Sequence, residues 1–159
     1  MVNSDNILVE KTFRTNDIIF FAILAGQIIY FLIGLYLIQS GSTEGMESLK
    51  TIFMFVTPVV VLSSILAAKF IYSKMIFDFD KTQPLESKLI SYRKNNIIKL
   101  ALFEGANIFN ISVMIITADY FFAALFIIIM ILFFFNRPTK EKFIMNYEVS
   151  ADDVLKIIG

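Results

Sequence analysis

Four long apolar segments are the feature of this sequence that most constrains its fold. An α-helix of about 20 apolar residues crosses the roughly 30 Å hydrocarbon core of a bilayer. Backbone N–H and C=O groups find no water there, so such segments fold as helices. Hydrophobic residues make up 57% of the 159 residues, above the roughly 45–50% of a soluble domain. The sequence therefore predicts an all-α protein, a bundle of four transmembrane helices over residues 18–38, 49–71, 97–117 and 120–135.

The first apolar segment could be a signal peptide or a retained transmembrane helix. Lys11 and Arg14 precede it, as basic residues precede the apolar region of a signal peptide. A signal peptide has an apolar region of roughly 7–15 residues. The segment Ile18–Ile38 has 21 residues, and three further segments follow it. We therefore expect a retained transmembrane helix, with Asp17 at the position of its N-cap.

The polar stretch between the second and third segments predicts a helical hairpin. The second segment contains Pro58, which transmembrane helices tolerate. Apolar residues at helical spacing continue beyond the second segment as far as Phe79 and resume at Leu85. We expect helices 2 and 3 to extend beyond the membrane as an antiparallel pair joined by a turn. The alternative is a loose basic loop.

The distribution of basic residues predicts the orientation. Cytoplasmic loops of membrane proteins carry an excess of Lys and Arg. Lys50 alone falls on the other side, near Glu44 and Glu47. Both termini are therefore predicted to be cytoplasmic, in a multi-pass protein of the cell (inner) membrane. The remaining 13 of the 14 basic residues would lie on the cytoplasmic side: Lys11, Arg14, Lys69, Lys74, Lys81, Lys88, Arg93, Lys94, Lys99, Arg137, Lys140, Lys142 and Lys156.

The end of the chain reads as a separate segment. We divide the sequence into a four-helix transmembrane domain, residues 1–138, and a cytoplasmic amphipathic tail, residues 139–159. Thr139 is placed to cap a short helix over Lys140–Tyr147. Ser150 with Asp153 resembles a capping box before a second short helix. The apolar face of this tail led us to expect that it binds a partner.

The third apolar segment is unusual because it carries polar side chains. A carboxylate in a bilayer is costly and ordinarily faces the interior of the helix bundle. Helices 1 and 3 run in the same direction, so Gln27 lies at a depth comparable to that of Glu104. We expect Glu104 to find its hydrogen-bond partners on helices 1 and 2. The predicted intramembrane polar cluster is Glu104, Asn107, Asn110, Gln27, Ser63 and Ser64.

Small residues and a proline mark predicted sites of helix packing. Ala22 and Gly26 are four residues apart, and Gly34 lies two turns beyond. Small residues at this spacing let transmembrane helices approach closely. Together with Pro58 they are the residues at which we expect helices to pack.

Glu104 supports two interpretations. As a functional group it would carry a proton or a cation through the membrane. As a structural group it would hold helices together by hydrogen bonds. The membrane segments contain no second carboxylate, which favours the structural interpretation.

The residue types that are missing exclude several classes of function. The chain has no cysteine and no histidine, so it has no disulfide, no thiolate metal site and no imidazole ligand or base. Thiol oxidoreductases are excluded, and cytochrome b-like subunits and zinc proteases are disfavoured; a carboxylate–oxygen metal site stays open. The formal net charge is zero, which gives no indication of nucleic-acid binding. We expect no cofactor and no metal.

Two families resemble parts of the chain. The segments Ala101–Phe109, Thr117–Asp119 and Asn136–Lys142 resemble an uncharacterised family of small four-helix membrane proteins of Bacteroidetes-type bacteria, which implies a fold but no activity. Glu104 followed by Ile108 and Phe109 is also similar to the ion-carrying helix of rotary ATPase proteolipids. Proteolipid helices are glycine-rich, whereas this chain has only six glycines.

Three functions follow as hypotheses. The first is a non-enzymatic accessory or structural subunit of a membrane complex, with the lipid bilayer and a protein partner or a homo-oligomer as its contacts. The alternative is a small proton- or ion-coupled transporter or channel subunit that uses Glu104. A lipid-active membrane enzyme is the least favoured, because no pair of catalytic groups appears near the membrane surface.

Overall fold

The fold is entirely helical over the part of the chain that the structure describes. The computed structural model describes the backbone of residues 4–158 and, within it, the side chains of residues 7–155 and 157. This range contains no strand, and the prediction of an all-α protein is confirmed. The six helices are α1 (Ser4–Gln39), α2 (Glu47–Phe77), α3 (Leu85–Thr117), α4 (Phe121–Phe135), α5 (Lys140–Tyr147) and α6 (Ala151–Ile158).

Three of these helices, α1, α2 and α3, are long and apolar enough to cross a membrane, which fits an integral membrane protein. The fourth predicted span is shorter. Helix α4 has 15 residues, about 22 Å at 1.5 Å per residue, against a core of roughly 30 Å. It counts as a membrane-length element only together with α5, from which it is bent by 66°.

Helix α3 lies at the centre and contacts α2, α1 and α4. Phe103 of α3 is fully buried in the core that these helices share. Stacked aromatic rings join α1 to α4, with centroids 4.9 Å apart for Phe20 and Phe133 and 4.0 Å apart for Phe31 and Phe126. The Phe-rich α4 therefore buries one face against the bundle and leaves the other exposed.

The predicted hairpin between α2 and α3 is present. Helix α2 runs through Pro58 and ends at Phe77, and α3 begins at Leu85. The Asp80 carboxylate closes the turn, accepting hydrogen bonds from the Thr82 backbone N–H at 3.0 Å and from the Thr82 hydroxyl at 2.7 Å. These hydrogen bonds hold the pKa of Asp80 below its ordinary value. The alternative of a loose loop is wrong.

The start of the first helix differs from the prediction. Helix α1 begins at Ser4, so Asp17 lies inside it and is not an N-cap. Asp17 instead pairs with Arg137, whose Nη2 is 2.9 Å from the Asp17 carboxylate. The mostly polar segment before Ile18 has one apolar face, formed by Val9 and Phe13, which are one helical turn apart and buried.

The tail packs against its own chain. Its two helices form as the capping residues predict: the Lys142 N–H donates to the Thr139 hydroxyl, and the Asp153 N–H donates to that of Ser150, both at 3.3 Å. Phe143, Tyr147 and Ile157 of the tail are buried against α1 and α3, whereas Leu155 stays exposed; that the tail binds a partner stays a prediction. We call the resulting apolar core the terminal cluster; it consists of Val9, Phe13, Leu89, Tyr92, Phe143, Tyr147 and Ile157.

Candidate functional site

Polar side chains join α1 to α3 at two levels. The Asn107 amide nitrogen donates a hydrogen bond to the Gln27 carbonyl oxygen, and both side chains are buried. Three residues along α1, the Tyr30 hydroxyl lies 3.0 Å from the Ser112 hydroxyl. Of the predicted cluster, the structure thus brings Gln27 and Asn107 into direct contact, and it adds a hydroxyl pair that sequence reasoning did not include.

Asn110 serves a different contact. Its side chain is fully buried, and its Nδ2 donates to the Phe122 carbonyl oxygen at 2.8 Å. This bond ties α3 to the first turn of α4. Asn110 therefore stabilises the tight α3–α4 hairpin and does not contact Gln27.

The two serines of α2 do not join the cluster, which corrects the prediction. Ser63 is exposed and Ser64 is half-buried, and neither hydrogen-bonds to α1 or α3. The buried face of α2 contains Thr57, Val61, Ile65 and Ala68. These residues recur every three or four positions, so Ser63 points away from the bundle. Pro58 is half-buried beside Thr57.

Glu104 is half-buried and faces a groove on the side of the bundle. The groove has a volume of about 310 Å³ and is lined by Gly26, Gln27, Tyr30, Glu104 and Ile108. The expected hydrogen bond between Glu104 and Gln27 is not formed among the described residues; the Gln27 carbonyl oxygen accepts from Asn107 instead. No described residue forms a hydrogen bond or an ion pair with Glu104. We call this feature the α1–α3 groove.

The buried amides beside the groove are incompletely satisfied. Gln27 Nε2 and Asn107 Oδ1 have no hydrogen-bond partner among the described residues. A buried polar atom without a partner costs about 1–3 kcal/mol. Gln27 lines the groove, so it adds an unpaired N–H donor to the unpaired carboxylate of Glu104.

The predicted packing glycines divide into two kinds. At Gly34, an added Cβ would lie 3.0 Å from Met114 Cε and 3.0 Å from Ile115 Cγ1. At Gly26, it would meet no atom within 4 Å, and Ala22 one turn earlier is exposed. Gly34 therefore packs against α3, whereas the step from Ala22 to Gly26 is not covered by this chain. Gly105, directly after Glu104, is equally open.

The chemistry available in the groove is narrow. It offers the Glu104 carboxylate, the Gln27 amide and the Tyr30 hydroxyl, which is paired with Ser112, and it holds no nucleophile paired with a base. The described residues contain no group of three or more carboxylates placed to hold a metal. Such a site can accept a cation or a hydrogen-bond donor, and it can donate one hydrogen bond.

Known proteins add no information about this site. No family model, curated protein or solved structure matches the chain. The resemblance to small bacterial membrane proteins stays an expectation.

Proposed function

We propose that this protein is a non-enzymatic accessory or structural subunit of a membrane complex. The observation that carries the proposal is Glu104, a carboxylate in a membrane-length helix that no described residue pairs with. A carboxylate in hydrocarbon is costly and ordinarily pairs with another group inside the bundle. Here the groove opens sideways between α1 and α3, so the missing partner is supplied by another molecule.

The remainder of the chain supports this view by contrast. The tail, which is the other amphipathic surface, is covered by α1 and α3, with Phe143 and Tyr147 fully buried. The tail helices α5 and α6 pack on the chain itself, whereas the α1–α3 groove stays open. The groove is therefore the surface that we assign to assembly with a partner.

The proposal includes four spans with both termini in the cytoplasm. A turn of only three residues, 118–120, links α3 to α4. Helix α4 therefore runs antiparallel to α3 at the same depth in the membrane. The Asn110 bond holds the two helices together. A short span is accommodated by tilting or local thinning of the bilayer. An even number of spans puts both ends on one side, the side with 13 of the 14 basic residues.

Reporter fusions test this topology. A fusion at Gly45, between α1 and α2, is expected to report the outside, and one at Gly159 the cytoplasm. An outside report from both fusions would reduce the spans to three, and the reverse pattern would contradict the proposed orientation.

Co-purification tests the subunit role. We expect the full chain, extracted in mild detergent, to carry a distinct membrane protein that mass spectrometry identifies. Glu104→Leu should lose that protein. Glu10→Gln is the matched control, because Glu10 is an exposed carboxylate on α1 outside the groove. A chain that elutes alone or only with itself contradicts the proposal.

The second candidate function is proton or cation coupling, which the unpaired Gln27 and Asn107 atoms beside Glu104 favour. Proteoliposomes that hold a pH-sensitive dye separate the two. If Glu104 carries protons, the chain alone dissipates a pH gradient and Glu104→Gln abolishes this flux. A subunit in which Glu104 only binds a partner gives no flux in either form.

A further inference from the structure

We infer that the α1–α3 groove receives a single transmembrane helix that crosses it at Gly26 and Gly105 and carries a Lys or Arg at the depth of Glu104. This inference rests on the proposed subunit role and names the chemistry of the partner. It is carried by the two open glycines, together with the unpaired carboxylate of Glu104.

Packing among the described residues does not explain why Gly26 and Gly105 are glycines. Glycine in the interior of a helix is less favourable than alanine. At Gly34 the cost has a reason, because Met114 and Ile115 would be crowded by any side chain. At Gly26 and Gly105 no atom lies within 4 Å of an added Cβ. In membranes, such residues allow the backbone of a second helix to come close.

The two open glycines belong to matching steps on neighbouring helices. Ala22 precedes Gly26 by four residues on α1, and Ala101 precedes Gly105 by four residues on α3; all four residues are exposed. Residues four apart share one face of a helix. Small exposed side chains therefore lie on α1 at Gly26, in the groove wall, and on α3 at Gly105, directly after Glu104.

Charge selects the kind of helix. Glu104 lacks an ion pair and a hydrogen bond among the described residues. In an apolar environment, a cationic side chain on the incoming helix satisfies this carboxylate best, by a charge-assisted hydrogen bond. Gln27 Nε2 is buried and unpaired in the same groove. Because that nitrogen is fully buried, the incoming helix pairs with Glu104 and leaves this amide uncontacted.

A second copy of this chain fits the groove poorly. Two copies with the same topology meet about an axis normal to the membrane, which brings residues of equal depth together. Glu104 would then face a second carboxylate. The nearest cation along α3, Lys99, lies more than one turn away and its Nζ packs on the Tyr72 ring at 4.2 Å. The cation therefore comes from a different protein.

Synthetic single-span peptides test the inference directly. Leu/Ala peptides that differ only in a central Lys, Leu or Glu would be mixed with the full chain in phosphatidylcholine vesicles. The chain has no cysteine, so a single cysteine added after Gly159 can carry a donor dye. Energy transfer from this dye to an acceptor dye on the peptide reports association. We expect the Lys peptide to bind about tenfold more tightly than the Leu peptide, and the Glu peptide not to bind.

Three variants connect that result to the groove. Glu104→Gln should remove the advantage of the Lys peptide over the Leu peptide. Gly26→Leu and Gly105→Leu should each weaken binding of the Lys peptide without lowering the thermal stability of the chain, because both sites are open. Ala124→Leu is the matched control, an exposed small-to-large change on α4.

Several results would overturn the inference. Equal binding of the Lys and Leu peptides removes the role of charge, and binding that both leucine variants leave intact removes the crossing at the glycines. Energy transfer between two copies of the chain that Glu104→Gln abolishes assigns the groove to a second copy. Co-purification of a partner despite negative peptide results would leave the proposed function standing and reject this inference alone.

Discussion

The terminal cluster and the α1–α3 groove look alike in the sequence, but the fold covers the first and leaves the second open. Both combine apolar and polar residues on helices that need a covering element. In the cluster, α5 and α6 fold back and bury Phe143 and Tyr147 completely. In the groove, no element among the described residues covers Gly26 or pairs with Glu104. An amphipathic segment therefore indicates an external partner only after the chain's own packing has been accounted for.

The largest expected effect lies in the closed region. Phe143 is fully buried, with its ring centroid 5.1 Å from that of Tyr92 and 5.8 Å from that of Phe13. Phe143→Ala should lower the free energy of unfolding by about 3–5 kcal/mol, through lost burial and the cavity it leaves. Denaturant unfolding in detergent micelles measures this. Met145→Ala, on the exposed side of α5, is the control; an equal effect would mean that the cluster is not packed.

A glycine pair sharpens the comparison within α1. Gly34→Leu should destabilise the protein by about 1–3 kcal/mol, because the new side chain overlaps Met114 and Ile115. Gly26→Leu should not lower the free energy of unfolding in the isolated chain, because its site is open. The same unfolding measurement tests both variants. If both destabilise equally, the groove is covered by the chain itself and the distinction fails.

A smaller effect is expected from the amide pair. Asn107→Leu removes the hydrogen bond to Gln27 and should cost about 1 kcal/mol, the usual scale for such bonds in membranes. Glu104→Gln should change the free energy of unfolding little, because the Glu104 side chain has no partner to lose among the described residues. A large loss of stability in Glu104→Gln would place Glu104 among the structural residues.

The smallest effect concerns pH and the α3–α4 turn. The Lys50 ammonium, 2.9 Å from the Asp119 carboxylate, donates a hydrogen bond that holds the pKa of Asp119 below its ordinary value of 3.8. Its stabilisation is present above pH 3.8 and is lost as the pH falls through the lowered value. The melting temperature should therefore fall below about pH 4. Lys50→Met should reduce this dependence; an unchanged profile would show that the pair contributes nothing.

The local features of the fold follow from the sequence. Residue spacing predicts the three membrane-length helices, the break between Phe77 and Leu85, and both short helices of the tail, since each depends on neighbouring residues alone. The capping residues Thr139 and Ser150 mark helix starts correctly for the same reason. Of the six residues in the predicted polar cluster, Gln27 and Asn107 contact each other as expected. The number of spans and the orientation stay predictions from apolar length and charge.

The relation between helices was decided only by the tertiary structure. Asn107 and not Glu104 binds Gln27, Ser63 turns outward, Asp17 pairs with Arg137, and Gly34 is closed while Gly26 is open. Each outcome depends on how a helix is rotated about its axis. Lipid tails are as apolar as leucine side chains, so hydrophobicity places a helix in the membrane without setting that rotation. Specific packing between particular side chains sets it, and this information is spread over residues far apart in the chain.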